Sequence, residues 1–140
     1  MHQRMLPVLF LALASVTACG DDDPPATPTG PTAPTTVTVT FTGTVNRNGA
    51  NSHPFPTDSG TVTAIISTLS PDSAAIVGLT LGTWNGVACQ TIIANDRATQ
   101  GTSIIGTASG SGNLCVRVFY ATGELAGATN YEVQVVHPQR

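Results

Sequence analysis

The side chains able to do chemistry in this sequence are three Cys, three His and eight Asp or Glu among 140 residues. A serine nucleophile needs a Gly-x-Ser-x-Gly elbow between a strand and a helix, and no such run occurs. Ser109-Gly-Ser-Gly112 shares only its glycines with a phosphate loop: no Lys follows and no helical pattern begins there, so it reads as a polar turn. Asp58, Asp72, Asp96, Glu124 and Glu132 are dispersed, which places no acid–base pair. Neither His-x-x-x-His nor Cys-x-x-Cys occurs, which argues against zinc. Asn95-Asp96 and Ser70-Pro-Asp72-Ser73 carry oxygen donors that calcium would accept, although such residues more often serve as turn formers. The expectation is a protein that is not an enzyme, with calcium the one cofactor for which donors exist.

Cys19 has surroundings that prescribe a reaction. Arg4 begins a short positive segment, and Leu6 to Ala14 form an apolar stretch too short to span a bilayer. The stretch ends in Val16-Thr17-Ala18-Cys19, which resembles the lipobox of bacterial lipoproteins. Small residues fit the signal peptidase, and the thiol takes up the diacylglyceryl group. Residues 1–18 then read as a signal peptide and Cys19 as the lipidated first residue, with the lipid bilayer as a partner through its acyl chains. Gly20 in the next position favours export to an outer membrane or the cell surface. Residues 19–36 read as a tether: after Gly20-Asp21-Asp22-Asp23 comes PPATPTGPTAPTT, five Pro and five Thr with nothing to anchor a core. At ~3.1 Å per residue, Gly20 to Thr36 reach on the order of 50 Å. The Thr residues leave open both a plain spacer and an O-glycosylated stalk.

Two cysteines remain, Cys89 and Cys115, each inside a strand pattern. In an oxidising compartment they are expected to form a disulfide rather than a metal site or catalytic thiol, because His53 and His137 are distant in sequence and each precedes Pro. Closing that loop contributes ~3.5 kcal/mol on a chain-entropy estimate. The two histidines are expected to be packing residues.

The elements that position these residues are strands. From Val37 the chain alternates with period two: Val37, Val39 and Phe41 on one face, Thr38, Thr40 and Thr42 on the other. Similar runs recur at 60–66, 75–81, 88–94, 103–105, 114–120 and 131–136, with turn signals at Asn46-Arg-Asn-Gly49, Ser70-Pro-Asp72, Trp84-Asn-Gly86, Ser109–Gly112 and Ala121-Thr-Gly123. The expected fold is all-β, a single antiparallel β-sandwich of seven or eight strands, jelly-roll or immunoglobulin-like, over residues 37–138. Charged residues are only 9% of the chain, against a typical ~25%. With five Arg, no Lys and a net charge of −3, there is no basic patch for nucleic acid.

Trp84, Asn85 and Tyr120 are the candidate binding residues, able to stack on a sugar ring or anchor a protein. Arg117, between Val116 and Val118, is expected to face solvent and to pair with Glu132 across strands. The stretch from His53 to Pro138 also resembles the bacterial pre-peptidase C-terminal (PPC) domain. The matching pieces are His53-Pro-Phe-Pro-Thr57 with Ser59-Gly60-Thr-Val-Thr63, then Leu79-Thr-Leu-Gly82, Gly112-Asn-Leu-Cys-Val-Arg-Val118 and Tyr131-Glu-Val-Gln-Val135. Leu114-Cys115 replaces the family's usual aromatic pair. The resemblance implies a small sandwich that works beside secreted proteases or alone in surface lipoproteins. The sequence thus points to an exported, lipid-anchored binding module for protein or polysaccharide. A self-assembling envelope component and an accessory module to a separately encoded protease stand as alternatives, and the oligomeric state is left open.

Overall fold

The computed structural model describes residues 24–121, 123 and 125–140; residues 1–23, which include the signal segment and Cys19, lie outside it, as do Thr122 and Glu124. The chain divides into two units, Met1–Pro31 and Thr32–Arg140. Residues 24–31 are exposed and without regular structure.

In the second unit the chain forms eight strands: β1 Thr36–Val45, β2 Ala50–Thr57, β3 Gly60–Ser70, β4 Val77–Trp84, β5 Cys89–Ala98, β6 Ser103–Ala108, β7 Gly112–Phe119 and β8 Thr129–Pro138. They make two antiparallel sheets, ordered β1-β8-β3-β6 and β2-β7-β4-β5. Eight strands in this order form the double-sheet jelly roll, the first of the two architectures expected. The core comes from the central strands: Val62, Ala64 and Ile66 of β3 with Val133 and Val135 of β8, facing Leu79 and Leu81 of β4 and Val116 and Val118 of β7. Burial of apolar area on this scale is the main driving force for the fold.

β2 is absent from the alternating runs because Pro54 and Pro56 interrupt it. A proline has no N–H for a ladder, and β2 tolerates two because it is an edge strand whose other side pairs β7. The expected Arg117–Glu132 pair is not formed. Arg117 lies on β7 and Glu132 on β8, in different sheets. The Arg117 guanidinium sits 5.5 Å from the Phe119 ring centre, and the Glu132 carboxylate accepts from the Ser67 hydroxyl at 2.8 Å.

Cys89 and Cys115 are joined, with Cα atoms 5.7 Å apart. Cys115 stands opposite Gly82 and Cys89 opposite Trp84, so the bond ties β7 to β5 across the outer side of β4. Strands two places apart in a sheet are normally about 9.5 Å apart, so β5 must bend over β4 to make the bond. Gly82 permits this: a Cβ there would collide with the backbone carbonyl of Gln90, which no rotamer change relieves. Gly82→Ala should therefore cost about 1–3 kcal/mol, read as a fall in the urea midpoint. Cys89→Ala/Cys115→Ala should lose up to ~3.5 kcal/mol, and reductant should shift the wild type but not this variant.

Candidate binding cleft

The two open sides of a sandwich lie where edge strands face one another. On the β1–β2 side aromatic rings close the gap. Phe41 stacks on His53 with ring centres 4.9 Å apart, Phe55 lies 6.3 Å from Phe41, and His137 lies 4.9 Å from Phe55. His53 Nε2 is 2.7 Å from the Tyr131 hydroxyl. Burial pushes the His53 imidazole below its ordinary pKa and the Tyr131 phenol above its own, the latter opposed by a hydrogen bond with Asn51. His137 is buried, and its Nδ1 donates to the Pro138 carbonyl at 2.9 Å. A carbonyl only accepts, so Nδ1 is the donor, and the buried Nε2 has no hydrogen-bond partner among the described residues. Both histidines pack here, as expected from the sequence.

On the β5–β6 side no ring among the described residues closes the gap. Leu81, Ile93 and Leu114 line an apolar cleft of about 50 Å³ with Ile92, Gly106 and Thr107. Gly106 on β6 faces Leu81, whose Cδ2 would lie 2.9 Å from a Cβ at that position, so any larger residue would enter the cleft. Ile92 stands at the rim, 66% exposed. The register explains why: Leu81 pairs Ile93 while Gly82 pairs Thr91, so Ile92 is the extra residue of a β-bulge. The cleft runs on into a groove of about 260 Å³ along the β6–β7 turn. That turn is held from below: Asp58 Oδ1 accepts from the Ser111 hydroxyl at 2.7 Å and from the Ser59 N–H at 2.8 Å. These two bonds, the Ser111 one foremost, hold the Asp58 carboxyl below the usual carboxylate range.

A larger hollow of about 410 Å³ lies on the outer face of the β1-β8-β3 strands, lined by Thr42, Thr44, Thr68, Ser70, Asn130 and Glu132. Several of its polar groups are already committed, Thr44 to Asn130 at 2.6 Å and Glu132 to Ser67. Gly43 and the largely buried Tyr131 complete its lining, and no large aliphatic side chain enters it.

The sequence candidates are not brought together. Trp84 is half-buried at the end of β4, and Asn85 follows it in the β4–β5 hairpin. The Asn85 side chain accepts from the Val87 and Ala88 N–H groups at 2.9 and 2.8 Å, so it is engaged in shaping the turn. Tyr120 is half-buried just past the other end of β7, whose last residue Phe119 pairs Gly78, six residues or roughly 20 Å along β4 from Trp84. Its hydroxyl accepts from the Gly123 N–H at 3.0 Å. Of the two loops weighed for calcium, 71–73 is a turn in which Asp72 Oδ1 accepts from Ala74 N–H, whereas Asn95-Asp96 lies inside β5 beside a register shift, with Asn95 Oδ1 accepting from Arg97 N–H. Among the described residues no three His, Cys, Asp or Glu gather as a metal site. Sequence reasoning missed Ile92. The available signal was the pair Ile92-Ile93, which strict alternation cannot bury on one face.

No family model and no curated protein matches the chain. Among solved structures it resembles the Yersinia pseudotuberculosis-derived mitogen, at 17% identity and TM-score 0.54, over 77% of this chain and 90% of that one. It also resembles Aeromonas hydrophila PliG, a periplasmic lysozyme inhibitor of g-type lysozyme, at 12% identity and TM-score 0.50, over 73% of this chain and 86% of that one. At these identities the likeness is one of fold.

Folded His53 holds its proton less tightly than the unfolded chain, which titrates near the ordinary value of about 6.5. Its contribution to stability is therefore whole above about pH 6.5 and is lost as pH falls below that value. Thermal midpoints should drop between pH 7.5 and pH 5 in the wild type, and the drop should be shallower in His53→Gln.

Proposed function

We propose that this protein is a non-catalytic binding module, anchored to the bacterial envelope through acylated Cys19 and held off the membrane by its tether. Its partner is a protein that places an aliphatic side chain in the β5–β6 cleft. The observation that carries this reading is the unequal treatment of the two open sides: rings fill one, while the other keeps an apolar recess with Ile92 exposed at its rim. An aliphatic recess with a polar turn beside it suits a protein side chain. A sugar would need a free aromatic platform, and Trp84 is half-buried beyond the recess. The fold likeness to an inhibitor of g-type lysozyme supports a protein as the partner and an exported setting. The short apolar segment ending in Val16-Thr17-Ala18-Cys19 supports the lipid anchor.

A photoreactive residue placed at Ile92 in growing cells should give one discrete protein adduct, and the same residue at Val87, 86% exposed on the β4–β5 hairpin, should not. Equal labelling at both positions, or none at Ile92, would reject the cleft. Ile92→Asp should abolish the adduct formed from a second photoreactive residue at Thr107 while leaving the thermal midpoint nearly unchanged. Adding the purified protein to a g-type lysozyme assay tests one partner directly. For the anchor, the intact mass of membrane-extracted protein should fit a chain starting at Cys19 plus acyl groups; an unacylated chain cut elsewhere would overturn it.

A further inference from the structure

The four edge strands are β1, β6, β2 and β5, and three of them resist pairing with another chain. β2 has Pro54 and Pro56. β5 is interrupted by two register shifts and carries Asp96 and Arg97. β6, at six residues, is the shortest of the eight strands and offers the fewest rungs. Bulges, prolines, charges and shortness are the usual protections of a sheet edge. β1 has none of them. It runs ten residues in unbroken register with β8, without a proline or a charge. Thr36, Thr38, Thr40, Thr42 and Thr44 form an exposed row on its outer face, and Val37, Val39 and Phe41 are only half-buried on the inner one.

We propose that β1 is the docking edge for a second copy of this chain. The two β1 strands pair antiparallel about a twofold axis at Thr40 and join two four-stranded sheets into one of eight. Self-pairing is favoured over a different strand by symmetry and charge. Each contact in such a pair is made twice, by identical patches. The chain carries a net charge of −3, and β1 is an edge at which two copies meet without facing like charges. In the antiparallel register Thr38 lies opposite Thr42 on both sides of the axis, a cross-strand combination that stabilises sheets. Pairing also covers the flanks of Val37, Val39 and Phe41, which the edge now leaves half-open. The Thr44 carbonyl already accepts from the Asn51 amide at 2.7 Å, so the backbone ladder about the axis at Thr40 runs from Thr38 to Thr42.

The tether is compatible with this arrangement. Antiparallel pairing sets the two Thr36 positions about 30 Å apart, and tethers reaching on the order of 50 Å each can still descend to one bilayer. If the anchor proposed above is present, confinement to one membrane raises the effective concentration of the edges. The pairing does not require it. β1 and the β5–β6 cleft lie at opposite edges of the sandwich, so one can fail without the other.

Single cysteines at Thr36, Thr38, Thr40, Thr42 and Thr44 of the full chain test the register. These positions face outward on the β1 sheet, while Cys89–Cys115 lies on the outer face of the other sheet. Under mild oxidation the disulfide-linked dimer should peak at one central position, with Thr40 expected, and fall away on both sides. Uniform low yields along the row indicate random collision and overturn the proposal. Sedimentation of the detergent-extracted full chain should show a dimer. Thr40→Lys, which sets like charges at the axis, should weaken self-association by roughly tenfold or more, and Thr40→Ser should retain it. Unchanged circular dichroism and melting of the Lys variant would exclude misfolding. A monomer at all concentrations, or cross-linking of β1 to a different protein, would overturn the second copy as occupant.

Discussion

The burial of β4 on both faces sets the terms for the rest of the structure. In the other strands core residues alternate with more open ones; in β4 every residue from Val77 to Gly82 is buried. Its inner face supplies Val77, Leu79 and Leu81 to the core. Its outer face, Gly78, Thr80 and Gly82, is short enough to be roofed over. The Phe119 ring lies over Gly78, and the Cys89–Cys115 bond crosses beside Gly82. The bend that brings β5 across β4 falls at the same place as the bulge at Ile92. One covalent constraint thus accompanies both a covered sheet and an uncovered aliphatic side chain.

The aromatic residues reinforce this asymmetry. Aromatics are only 5% of the chain, and Phe41, Phe55 and Tyr131 gather with His53 and His137 on the β1–β2 side. Rings contribute more area per residue than aliphatic side chains, so one side is filled and the other is left to Leu, Ile and Gly. The cleft is a consequence of where the large residues were placed.

Period-two alternation identified seven of the eight strands, because each central strand has one face toward the core. β2 was hidden from that reading by its prolines, which a sheet edge accepts and a sheet centre would not. Pairing of the two strand cysteines followed from compartment and elimination. What the sequence could not convey was anything dependent on which strands become neighbours. His53 meets Tyr131 across 78 residues. Arg117 and Glu132 stand on separate sheets. Trp84 and Tyr120 sit at opposite ends of one sheet. Ile92 turns outward because of a slip in register, which is a property of two strands together.

The crossing of β4 by the disulfide has a mechanical side. A sheet resists tension well along its strands and poorly across them, where the hydrogen-bond rungs break in succession. Load applied at the β5 edge and resisted at the far edge would run across β5-β4-β7-β2 in that weak direction. The bond from Cys89 to Cys115 bypasses both weak seams around β4, so the edge strand bordering the cleft is covalently tied to the middle of the sheet. Under a pull on β5, that tie keeps the cleft-bearing strand attached to its sheet.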